Sequence, residues 1–106
     1  MWLADDEGNP VSLAGGSEAL VAATDRSGTA GTISTQLAAA NSARKSLNIQ
    51  NVSTNTLGIN ETGGTAAIGS PGTYTLAAGA SLNVRTNRQV NVIASAANSA
   101  YTATEA

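Results

Sequence analysis

The side chains that carry out most protein chemistry are scarce in this sequence. Its 106 residues include seven Asp or Glu, five Lys or Arg, and no His or Cys. Without His or Cys there is no Ser–His–Asp or Cys–His nucleophile, and no Cys/His zinc site. Disulfides are excluded as well, so cysteine usage does not report the redox compartment. Carboxylates alone can still bind calcium or act as a glycosidase pair. No Asp-x-Asp-x-Asp-Gly loop occurs, however, and Glu61, close to Gly63-Gly64, has no second carboxylate near it in sequence. Gly63-Gly64-Thr65 and Ala78-Gly79-Ala80 lack the phosphate-loop spacing G-x-x-x-x-G-K-[ST] and read as turns. Asn51-Val52-Ser53 and Asn60-Glu61-Thr62 match the glycosylation sequon, a pattern that arises by chance in an Asn- and Thr-rich chain. The expectation is a non-enzymatic protein with no catalytic, cofactor-binding or metal-ligating residues.

What remains is contact chemistry, and the charges are distributed unevenly. Residues 1–25 hold Asp5, Asp6, Glu7, Glu18 and Asp25 with no basic residue, a balance of −5. Residues 26–106 hold Arg26, Arg44, Lys45, Arg85 and Arg88 against Glu61 and Glu105, a balance of +3. The pairs Arg44-Lys45 and Arg85 with Arg88 have two readings. They are solvated charges at strand ends, or patches that meet an acidic protein surface, including the acidic arm of a neighbouring copy. Trp2 also has two readings, an interface anchor or a loosely held terminal residue. The candidate protein-interface set is therefore Trp2, Asp5, Asp6, Glu7, Arg44, Lys45, Arg85 and Arg88. A pI near 4.7 and only three aromatic residues argue against a nucleic-acid partner. No apolar run approaches the ~18 residues of a membrane span. Acidic residues stand where a secretory signal would be basic, so none is expected.

The scaffold that must position these residues has a thin core. Of 44 apolar residues 21 are alanine, and Leu, Val and Ile together number 19, with no Phe. Thr, Ser and Asn supply 13, 11 and 10 residues, a content suited to strands and turns. Gly8-Asn9-Pro10 and Gly15-Gly16-Ser17 break the acidic stretch, so residues 1–30 read as an arm with one short strand at Ala19–Thr24. The β domain is expected over 31–106. Period-2 alternation marks strands at Thr32–Leu37, Lys45–Val52, Thr56–Asn60, Thr73–Leu76, Ser81–Thr86, Gln89–Ala94 and Ser99–Thr104, with a weak one at Thr65–Ile68. Ser53-Thr54-Asn55 reads as a hairpin loop, Ser70-Pro71-Gly72 as a tight turn, and Ile93 as the start of a switch of face or a bulge. The alanine-rich stretch Thr35–Arg44 is too short for a stable helix, so the strand Thr32–Leu37 followed by a loop is expected, with a single helical turn as the alternative. Turns every 8–12 residues predict an all-β fold, a small antiparallel β-sandwich or jelly-roll-like barrel with an extended N-terminal arm. So thin a core favours association with partners.

One further pattern runs through the chain. It starts with Asp25-Arg26-Ser27-Gly28-Thr29, followed by Ala-Ala-Ala-Asn-Ser-Ala-Arg-Lys at 38–45 and Leu-x-Ile-Gln-Asn at Leu47–Asn51. A Ser-x-Asn turn and a second alternating strand come next. Leu76-Ala77-Ala78-Gly79-Ala80-Ser81, Val-Asn-Val-Ile-Ala at Val90–Ala94 and Thr-Ala-x-Glu at Thr102–Glu105 complete it. Over residues 25–105 the chain resembles small accessory virion proteins of tailed bacteriophages. It departs from the usual pattern where an aromatic follows the second strand, since Asn60-Glu61-Thr62 stands there. The resemblance implies a non-enzymatic capsid decoration, or cement, protein on the virion exterior, made in the bacterial host cytoplasm. It would form a small homo-oligomer, most commonly a trimer, that bridges major capsid protein subunits. The alternative is a tail or head fibre module that binds host-surface glycan through Asn/Thr/Ser-rich loops.

Overall fold

A computed structural model describes residues 22–106, and among them are nine strands and no helix. The strands are β1 (Thr24–Asp25), β2 (Gly28–Ala30), β3 (Thr35–Ala38), β4 (Leu47–Asn51), β5 (Leu57–Asn60), β6 (Thr73–Leu76), β7 (Ser81–Val84), β8 (Val90–Ala94) and β9 (Ser99–Glu105). They form two antiparallel sheets. One runs β1/β2–β9–β4–β7 and the other β3–β8–β5–β6.

The pairings nest. β2 pairs with β9, β3 with β8, β4 with β7 and β5 with β6. The chain is thus one long folded ribbon with its tip at β5–β6, rolled so that successive pairs fall alternately in the two sheets. Contacts β4–β9 and β5–β8 then close each sheet. This rolled ribbon is the jelly roll, one of the two architectures expected from the turn spacing.

Alternation decides which side chains enter. In β4 Leu47, Ile49 and Asn51 are buried while Asn48 and Gln50 face solvent. Leu57, Ile59, Val84, Val90, Val92 and Ala103 are fully enclosed between the sheets, and Tyr101 lies among them. β5 breaks the alternation, because its outward residues Gly58 and Asn60 are buried as well. The cause is the long β5–β6 connection, which folds back over the outer face. Asn91 Nδ2 donates to Gly64 O at 2.6 Å, Ala66 N donates to Ser34 Oγ at 2.9 Å, and Ile68 lies above Gly58. A side chain at Gly58 would start 2.9 Å from Thr73 Cγ2 and 3.0 Å from Ile93 Cγ2, so only glycine fits beneath this cover.

Several expectations change. The sheet begins before residue 31, because β1 and β2 hold the same register against β9 and act as one interrupted strand. At the interruption Ser27 Oγ accepts from Ala103 N at 3.0 Å, and Ser27 N donates to Asp25 Oδ1 at 2.9 Å. Side-chain hydrogen bonds thus bridge the interruption between β1 and β2. Of the short strand expected at Ala19–Thr24, residues 19–21 lie outside the described region. The strand expected at Thr32–Leu37 lies at Thr35–Ala38. Ser53-Thr54-Asn55 is not a hairpin loop, since β4 and β5 belong to different sheets. Thr65–Ile68 forms no strand and belongs to the covering connection. Ile93 starts no bulge, because β8 keeps register with β5 throughout, and the irregularity lies in β3 between Gln36 and Ala38. The turn at Ser70-Pro71-Gly72 forms as expected, with Thr73 N donating to Ser70 O at 3.2 Å and Gly72 at φ 86°.

With so few large aliphatic side chains, each carries a large share of stability. Ile59→Ala is expected to destabilise the fold by about 2–5 kcal/mol. Ile33→Ala, at a residue 75% exposed, should stay within about 0.5 kcal/mol. Urea midpoints of the two variants against the parent chain check this.

Candidate functional site

The candidate interface residues separate sharply once placed. Trp2, Asp5, Asp6 and Glu7 lie outside the described residues. Arg44 is no surface contact: its side chain is 1% exposed. Its Nε donates to Glu105 Oε2 at 2.7 Å, and its Nη atoms donate to the carbonyls of Ala39, Thr86 and Arg88 at 2.7, 2.9 and 2.9 Å. A planar fork of donors suits this task, which a lysine could not perform. Lys45, Arg85 and Arg88 are exposed, as a protein-contact role requires.

These residues share one end of the roll. Leu47 of β4 stands opposite both Val84 and Glu105, and Thr24 stands on the other side of Glu105. Lys45 therefore precedes β4 at the same end where Arg85 follows β7. Lys45 N donates to Ala106 O at 2.7 Å, and Asn41 N donates to Asn87 O at 2.8 Å, which draws the connections together. Arg26, 43% exposed, joins them through Nε and Nη2, both 2.9 Å from Glu105 Oε1. The chain enters its first strand here too, so the acidic N-terminal segment joins the domain at its cationic end.

Glu105 is the partner that sequence reading did not single out. Burial alone raises its carboxyl, but hydrogen bonds from Arg44 and then Arg26 outweigh that and hold it below the ordinary glutamate range. At the opposite end of β4, Asn51 does similar work without charge. It is fully buried, and its Nδ2 donates to Asn55 O at 2.7 Å and Leu76 O at 2.9 Å, tying the two sheets together.

Both sequons turn out to be loop hardware. Asn51 Oδ1 accepts from Ser53 N and Ser53 Oγ, and Asn60 Oδ1 accepts from Thr62 N and Thr62 Oγ1. Asn60 Oδ1 also accepts from Gly64 N at 3.2 Å, while its Nδ2 donates to Thr65 O at 3.3 Å. Asn-x-Ser/Thr recurs here because an asparagine followed two residues on by a hydroxyl closes such a turn. With both amide nitrogens buried and engaged, neither is placed to accept a glycan.

A cleft of about 220 Å³ opens beside the second of these turns, lined by Glu61, Thr62, Gly72, Thr73 and Tyr74. Tyr74 stands opposite Ile59, so it belongs to the core-facing side of the edge strand β6, yet it is 54% exposed. Alternation over Thr73–Leu76 puts Tyr74 on the face of Leu76, and the pairing with β5 agrees. That its strand lies at the sheet edge is something period-2 patterning does not encode. Among the described residues no three His, Cys, Asp or Glu side chains come together as a metal-binding group. Comparison with protein-family models, characterised proteins and solved structures gives no match.

The Arg44–Glu105 pair sets a pH dependence. Because the folded carboxyl lies below its ordinary value, its stabilisation is complete above the unfolded glutamate pKa of about 4.3 and disappears as pH falls through the folded value. Thermal stability of the parent chain should therefore decline below about pH 4.3, and Glu105→Gln should flatten that decline. Arg44→Met, which leaves a buried carboxylate short of its main partner, should cost about 3–5 kcal/mol. Restoring part of that loss in Arg44→Met/Glu105→Leu would separate a buried-charge penalty from lost packing.

Proposed function

We propose that this chain is a structural component of a tailed-bacteriophage virion, a capsid decoration protein that bridges and stabilises major capsid protein subunits. The reading rests on the sequence resemblance over residues 25–105. The single structural observation that supports it is the cationic end of the roll. Lys45, Arg85 and Arg88 are exposed there, around the point where a segment bearing Asp5, Asp6, Glu7 and Glu18 enters the first strand. A charge-divided module of this kind is suited to lying between acidic and basic surfaces of neighbouring subunits, including further copies of itself. Jelly rolls occur in viral capsid and in lectin domains, so the fold is compatible with this role. A protein that binds only the assembled shell stabilises that shell by mass action, which is the physical content of cementing. A trimer bridging capsomers on the outer surface is the arrangement we favour.

Three measurements bear on this reading. The protein should be present in many copies per particle, comparable with the major capsid protein on a stained gel of purified virions. Particles without it should break open at lower temperature, and adding it back should restore resistance. Re-binding to depleted shells should weaken as salt rises, and Arg85→Glu/Arg88→Glu should weaken it by at least about tenfold at low ionic strength. Deleting residues 1–21, which leaves β1 intact, should also reduce binding. Low copy number, or shells equally stable with and without the protein, would exclude the decoration role.

A further inference from the structure

Tyr74 occupies a position that normally ends in burial. Its neighbours on the same inner face, Ile59 and Leu76, are 0% and 5% exposed, whereas Tyr74 is 54% exposed at the edge strand. An aromatic ring left open in a cleft that a carboxylate residue also lines is a recognisable chemical set. The ring offers a flat apolar face and Glu61 offers two acceptor oxygens, and both residues line one cleft of about 220 Å³ together with Thr62, Gly72 and Thr73. That volume lies below the ~300–1,000 Å³ of sites for drug-sized ligands, so it suits a single ring at the end of a longer molecule.

The walls are held in place before any ligand arrives. Asn60, 5% exposed, braces the turn through four hydrogen bonds: three accepted from Thr62 N, Thr62 Oγ1 and Gly64 N, one donated to Thr65 O. Thr62 Oγ1 uses its one proton on Asn60, at 2.8 Å, which leaves its lone pairs as acceptors for a ligand hydroxyl. Thr86 Oγ1 donates to Glu61 O at 2.7 Å, fixing the backbone that carries the carboxylate. Ala67 N donates to Thr73 Oγ1 at 3.2 Å, which holds that side chain on the outer face and fixes the strand that carries Tyr74. Gly72, at φ 86°, keeps the side of the cleft free of a side chain. Binding to such a site orders few protein groups, so modest contacts suffice for measurable affinity.

We propose that this cleft is a saccharide subsite: one pyranose ring stacks its C–H face on Tyr74 while neighbouring ring hydroxyls donate to Glu61 and Thr62. The inference does not depend on the decoration role, since a capsid-bound protein can also hold a surface glycan.

The test is a titration of the full chain, followed by amide resonances, with galactose, mannose, glucose, rhamnose and N-acetylglucosamine at millimolar concentrations. At least one sugar should shift Thr62, Thr73 and Tyr74. Tyr74→Ala should weaken that binding roughly tenfold or more, Tyr74→Phe should retain it, and Glu61→Gln should weaken it. If no sugar shifts these resonances, or if Tyr74→Ala binds as well as the parent, the subsite does not exist. Sedimentation of the same variants covers the competing occupant. If Tyr74→Ala converts an oligomer into monomers, the ring is a subunit contact and the saccharide assignment falls.

Discussion

One guanidinium holds the closed end of this fold together. Arg44 is enclosed, and it bonds the Glu105 carboxylate and the carbonyls of Ala39, Thr86 and Arg88. Those acceptors belong to the β3–β4 connection, the β7–β8 connection and the last strand. Of these acceptors the Glu105 carboxylate is buried, so without the guanidinium it would be a charge withdrawn from water and short of its main partner. A buried ion pair is weak evidence for stability, because desolvating two charges offsets most of their attraction. Its value here is geometric. It fixes where three chain segments meet, and so fixes the shape of the surface that carries Lys45, Arg85 and Arg88.

Asn51 plays the corresponding part at the far end of β4, so the interior is a short apolar slab stoppered by polar groups. This explains how a core of alanines and a few aliphatics suffices. The slab need extend only over the two or three inward positions of each strand, such as Leu47 and Ile49 in β4 or Leu57 and Ile59 in β5. Beyond them, hydrogen bonds to fixed loops take over from packing.

The strands were largely legible in the sequence because alternation is a local signal. Lys45–Val52 contains β4, and Thr73–Leu76 coincides with β6. Partnership was not legible, because alternation tells which face a residue occupies and not which strand lies beside it. Ser53-Thr54-Asn55 has the length of a hairpin loop and instead crosses from one sheet to the other. Arg44 and Lys45 look alike as a basic pair, and only a carboxylate 61 residues further on assigns one to the interior and the other to the surface. The cleft was hidden for a related reason. Tyr74 shares a face with Leu76 by alternation, and alternation does not tell that its strand lies at the edge of the sheet.

The nested pairing also imposes an order of assembly. β5 and β6 are joined by a single connection and can meet early, whereas β2 must find β9 across almost the whole described chain. Closing that loop carries the largest entropic cost in the roll, and folds dominated by such distant contacts form slowly. Glu105 lies in β9, so the Arg44 knot cannot tie until the last strand has been synthesised. The pairs β3–β8, β4–β7 and β5–β6 need no β9, but without it the cationic end lacks the carboxylate that fixes its shape. The surface that carries Lys45, Arg85 and Arg88 takes its fixed shape only after β9 has docked.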